Sequence, residues 1–228
     1  MFFRKIEGMI CNKWNLLMTV CFAFFVYAWT DKDDEVIFRI LGGIPGYGGR
    51  TIDIVPLGKW LFLFGFFFLI ACRTINMSQQ IKKLQMYRYQ KFVKWWSQHF
   101  TVVHMVNAFT FFTAYHIWRL ICGENGKIEV VFVFFLHLSC MISILLLFDF
   151  IGKKTVPCIL IIIEGMGYVL SVNYDISWLA CGMYNRSILF REGGFSVGVF
   201  ILEIVIILFC YMGAPYLWKK EILERKMQ

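Results

Sequence analysis

Apolar residues fall in six long blocks, covering about 14–30, 54–72, 100–118, 130–148, 155–174 and 195–218, with short polar and charged segments between them. A helix needs about 20 mostly apolar residues to cross the ~30 Å hydrocarbon layer of a bilayer, so each block predicts a membrane span. Blocks one, three and four hold no charge, and block two holds only Lys59. The fifth contains Glu164 and the sixth contains Glu203. The first block ends in Phe25-Val26-Tyr27-Ala28-Trp29, bulky where a signal peptidase site needs small residues, so it is expected to be a retained span.

The segments between the blocks predict orientation and local structure. With both termini inside, 15 of the 23 Lys and Arg residues lie on the inner side, while nine acidic residues lie outside against four inside. The positive-inside rule then makes the termini cytoplasmic. The outer loop 31–58 carries Gly42, Gly43, Pro45, Gly46, Gly48 and Gly49, which predicts turns in its middle. The outer segment 175–194 has a helix-like centre at 177–189 closed by Gly193-Gly194, expected to be an interfacial or re-entrant helix before the last span. Residues 1–12 alternate Phe2, Phe3, Ile6, Met9 and Ile10 with Arg4, Lys5 and Glu7, which fits an interfacial N-terminal helix or an extension of the first span.

The inner segment 73–100 holds six basic residues and no acidic one. Tyr89, Phe92, Val93 and Trp96 recur at helical spacing beside Arg88, Lys91 and Lys94. Two readings stay open: a helix lying on anionic lipid, or an amphipathic helix received by a cytosolic partner's groove.

Composition narrows the class further. Hydrophobic residues make up 59% of the 228, with 25 Phe, and only 17% are charged, which excludes both a soluble core and a disordered chain. The formal charge of +8 would suit nucleic acid in a soluble protein, but beside a bilayer it reports basic inner loops, so no nucleic-acid partner is expected. The whole chain reads as one all-α membrane domain without internal repeats.

Polar residues within the spans are functional candidates by default. An unpaired Glu164 near the midplane would cost about 2.5 to 3.5 kcal/mol on insertion scales, so it must be neutral, paired or wet. Gly165 and Gly167 beside it allow a neighbouring helix to approach closely. Glu164 and Glu203 are therefore either substrate-path residues or carboxyls hydrogen-bonded between helices. His104, His116 and His137 show no metal-ligand spacing and read as satisfied core histidines, and no metal is expected. No Cys-x-x-Cys occurs among the eight cysteines. Cys122 and Cys181 reach the outer face, where a disulfide is possible. No Gly-x-x-x-x-Gly-Lys-Ser/Thr loop is present, so ATP is not bound by this chain.

Three short patches carry a resemblance. Leu41-Gly42-Gly43 opens the Gly-rich outer loop; Tyr87-Arg88-Tyr89 and Lys94-Trp95-Trp96 lie in the inner segment. Gly182-Met183-Tyr184-Asn185-Arg186-Ser187 is followed by Gly193-Gly194-Phe195 before the last span. In order and spacing these patches resemble the small six-span permease subunits of bacterial ABC type-2 transporters, in the group associated with bacteriocin and lantibiotic systems. Ala180-Cys181 stands where that group often has Asn-Trp. The resemblance implies a cytosolic ABC ATPase that binds ATP and magnesium, a second permease subunit as homodimer or heterodimer, and a bacterial cytoplasmic membrane. It also implies export of a peptide or other amphiphile. On it, Arg88, Lys91, Lys94, Trp95 and Trp96 form a coupling helix with the two tryptophans as anchors, and Gly182, Met183, Arg186 and Ser187 form an outer motif. A membrane-embedded peptidase using Cys72 and His104, and an immunity protein without an ATPase, are the rival classes.

Overall fold

The computed structural model describes residues 13–30, 36–43, 54–86, 92–123, 127–151, 156–174, 182–183 and 197–227. The described residues form seven helices and no strand. They are α1 (Lys13–Trp29), α2 (Val36–Leu41), α3 (Ile54–Met86), α4 (Phe92–Cys122), α5 (Ile128–Phe150), α6 (Val156–Tyr174) and α7 (Val197–Met227). Helices are the expected solution for such apolar segments, because a helix satisfies its own backbone hydrogen bonds where water is absent.

Three helices are long and apolar enough to cross a membrane, within Ile54–Met77, Ile128–Phe150 and Gly198–Leu217. Lys13–Trp29 and Pro157–Leu170 are shorter apolar helices. The 17 residues of α1 span about 26 Å at 1.5 Å per residue, slightly less than the hydrocarbon thickness. The architecture is compatible with a membrane-embedded protein. Each helix overlaps one of the six apolar blocks except the short α2, which the glycine-rich loop conceals. α2 stops where Gly43 takes φ +79°, and the Gly42 N–H returns to the Phe38 carbonyl at 2.6 Å.

α5 sits at the centre, with 67% of its apolar window buried, whereas α7 lies on the periphery with 17%. Around α5 the core is aromatic. Phe64 and Phe67 of α3, Phe111 of α4 and Phe134 of α5 are all fully buried, with ring centroids 5.2 to 6.1 Å apart in successive tilted, edge and stacked contacts. Phe22 of α1 stacks on Phe66 of α3 at 3.7 Å, and the Trp118 indole N–H of α4 donates to the Ala23 carbonyl of α1 at 2.9 Å. Hydroxyls on these apolar helices fold back on their own helix: Thr19, Thr110, Ser139 and Ser143 each donate to the carbonyl four residues earlier.

Two sequence-based expectations change. The segment holding Trp95 and Trp96 is the start of α4 itself rather than a separate surface helix, and both tryptophans are inside the fold, 5% and 1% exposed. The reason lies in α7. Pro215 sits inside that helix and has no N–H to give to the carbonyl of Tyr211, four residues earlier. The Trp96 indole N–H fills that vacancy, donating to the Tyr211 carbonyl at 2.7 Å. The second change concerns the expected helix at 177–189. At its middle Gly182 makes a turn and Met183 is non-helical, and both are buried. The rest of that segment, the N-terminal residues 1–12 and most of the Gly-rich loop lie outside the described residues.

If Trp96 repairs the break at Pro215, the two positions are energetically coupled. Trp96→Phe should lower stability by about 1 to 2 kcal/mol in the natural background and by clearly less in Pro215→Ala, where the helix bond can re-form. A double-mutant cycle on the detergent-solubilised protein measures this. Equal losses in both backgrounds would separate the tryptophan from the proline.

Candidate functional site

The two carboxylates within the apolar helices meet at one histidine. Glu164 comes from α6, Glu203 from α7 and His137 from the central α5, and all three are buried, at 3%, 5% and 5% exposure. His137 Nε2 lies 3.0 Å from Glu164 Oε2, and Nδ1 lies 2.7 Å from Glu203 Oε1. The second oxygen of Glu164 accepts from the Trp60 indole N–H of α3 at 2.9 Å. Four helices are thus joined through one continuous set of polar contacts.

Local packing holds the imidazole in place. The Phe64 ring meets it edge-on at 5.5 Å, and Trp60 stands edge-on to Phe134 at 5.5 Å on the same side of α5. Gly182 closes over the ring: a Cβ there would fall inside the imidazole, so only glycine allows the turn to approach this closely. Met183, fully buried, packs in turn on Gly43, where an added Cβ would stand 2.7 Å from Met183 Cβ and Cγ.

The geometry requires protons. A carboxylate offers only acceptors, so each nitrogen-to-oxygen link must hold one. Either an imidazolium sits between two carboxylates, or a neutral imidazole shares the links with one carboxylic acid. In both cases the three side chains hold two shared protons and sum to a charge of −1, from +1 −1 −1 or from 0 +0 −1. Such a set can bind, release or relay a proton. Among the described residues no group of three His, Cys, Asp or Glu is arranged to hold a metal ion.

The other candidates are placed as follows. Glu164 and Glu203, suggested by their position within apolar blocks, are brought together. His137, read from the sequence as a satisfied core histidine, is buried as expected but is the group that joins them; spacing between spans gives no signal of such a contact. His116 is exposed on α4 rather than in the core, and His104 is partly buried, with Nδ1 2.9 Å from the Phe100 carbonyl and Nε2 3.0 Å from the Ser143 hydroxyl. Among the described residues no hydrogen bond joins His104 to Cys72. Lys94 is exposed, while Trp95 and Trp96 are buried within the fold, Trp95 stacking on His99 at 5.2 Å. Gly182 and Met183 cap the His137 site. Arg88, Lys91, Arg186, Ser187 and Cys181 lie outside the described residues.

No family model, curated protein or solved structure matches the chain.

Removing the imidazole should be costlier than neutralising one acid. His137→Ala leaves two carboxyls facing a void, and the loss should approach the roughly 3 to 5 kcal/mol of a broken buried ion pair. Glu164→Gln keeps an acceptor for Trp60 and should cost distinctly less. Thermal denaturation in detergent ranks them, and equal stability of His137→Ala and the natural chain would show that the links contribute nothing. Gly43→Ala combines a φ of +79° with the clash at Met183 and should lower stability by at least about 1 kcal/mol, whereas Gly58→Ala, with nothing within 4 Å, should not.

Proposed function

We propose that the chain is the transmembrane permease subunit of an ATP-binding-cassette exporter, with six spans, cytoplasmic termini and a separate ATPase subunit. Its cargo is a peptide or another amphiphilic molecule, carried across the cytoplasmic membrane of a bacterium. The observation that carries this reading is the meeting of Gly43 with Met183. These residues belong to two of the patches that resemble the permease group, they are far apart in sequence, and they pack together above the His137 site. Patches that resembled a family by accident would have no reason to share one contact.

Burial of the tryptophans narrows the coupling surface. Trp95 and Trp96 pack within the bundle, so we assign contact with an ATPase to the basic positions Arg88, Lys91 and Lys94, of which Lys94 is exposed on α4, and to the helical extension of α3 past its apolar stretch, from Met77 to Met86. Acidic groups on the partner's rim suit such a surface, which governs association rate and salt dependence more than affinity.

The chain extracted from its native membranes in mild detergent should bring an ATP-hydrolysing subunit with it. Purified alone, it should turn over no ATP. Reversing charge at Arg88, Lys91 and Lys94 together should cut ATPase recovery several-fold and leave the permease inserted. Trp95→Ala with Trp96→Ala should instead lower the yield of folded permease. Peptide cleavage lost on Cys72→Ser, or protection against a peptide without any associated ATPase, would replace the export reading with the peptidase or the immunity class.

A further inference from the structure

The imidazole between two carboxylates is more than a tie between helices. An apolar bundle that needed only a polar clamp would be served by neutral amides or hydroxyls, yet Thr110, Ser139 and Ser143 on α4 and α5 donate within their own helices. Here three ionisable groups from three helices share protons over links of 2.7 and 3.0 Å, and their protons belong to the set rather than to any one residue. Buried hydrogen-bonded chains of Glu and His inside a membrane domain are the chemistry of proton relays.

The surroundings of His137 are compatible with this role. On α3 the facing groups are Trp60 and Phe64, and Lys59 is turned away, its Nζ 5.7 Å over the Trp29 ring. From α6 the facing group is Glu164 and from α7 it is Glu203. On α4 His104 is engaged with Phe100 and Ser143, His99 stacks on Trp95 and His116 is exposed, and on α2 Arg39 is exposed. Gly182 and Met183 cover the ring from the outer segment.

We propose that Glu164, His137 and Glu203 form a proton-binding site within the bundle, in which two protons occupy the Nδ1–Glu203 Oε1 and Nε2–Glu164 Oε2 links and one further proton, delivered by a hydronium ion, is taken up on a carboxylate oxygen of the set. The transfer is a proton exchange only: an O–H bond of hydronium breaks and water leaves as the carboxyl O–H bond forms, the set passes from −1 to 0, and no other reactant is needed. The site does not depend on the export reading, and it would stand in a permease, a peptidase or an immunity protein alike.

The test uses the full chain in lipid nanodiscs, with protons as the ligand. Infrared difference spectra recorded across about pH 5 to 9 should show a carboxylic-acid carbonyl band that appears and disappears with pH and is lost in Glu203→Gln or Glu164→Gln. In the natural chain labelled with ¹⁵N-histidine, the ring resonances of His137 should shift over the same pH interval. This second measurement needs no variant, so it decides the matter even where a substitution prevents folding. Ring resonances that stay fixed throughout, with no acid band, would make the three side chains a static bridge and overturn the proposal. A response to added sodium at constant pH, without a response to pH, would make the site a cation site and overturn it equally.

Discussion

One imidazole holding two carboxylates is the constraint on which the arrangement of four helices depends. A carboxylate left alone in an apolar interior loses its hydration with nothing in return, so Glu164 and Glu203 can exist there only if another helix supplies donors at the right depth and rotation. His137 offers both ring nitrogens from the central helix to share protons with them, and the Trp60 indole N–H donates to Glu164. The rotation of α6 and α7 about their axes is thereby specified. Apolar packing alone would leave it loosely determined, because one face of Ile, Leu and Val is much like another and lipid competes for all of them.

The same logic of unsatisfied polar groups operates where α4 begins beside α7. Pro215 withholds an N–H from the Tyr211 carbonyl, and an orphan carbonyl in an apolar region must find a donor. Trp96 reaches it from the first turns of α4, and this draws Trp95, His99 and Phe150 into one aromatic cluster. A pair of tryptophans beside lysines thus serves internal packing, although in sequence the same pair suits a docking helix equally well.

Close approach of backbone explains the third contact. Gly182 lets the outer segment settle against the imidazole, and Gly43 accepts Met183. These glycines cover His137 without adding side-chain polar groups of their own. The result is a polar site enclosed by helices on its sides and closed by a turn.

Six apolar blocks, the uneven spread of Lys and Arg over the segments between them and the isolated acids at 164 and 203 are properties of composition along the chain, so the sequence by itself determined an all-helical protein with long apolar segments and marked Glu164 and Glu203 as positions requiring partners. It did not reveal α2, hidden ahead of a run of glycines, nor the extent of α3 and α4 beyond their apolar cores, because helix continuation into polar residues leaves no hydropathy signal. Which histidine meets which acid, and whether Trp96 faces a partner or a neighbouring helix, was decided by tertiary structure alone. The physical reason is the same in each case. Hydropathy reports how deep a residue lies, while a hydrogen bond between spans depends on the rotation and neighbour order of helices, and those are set only when all the buried polar groups of the bundle are satisfied together.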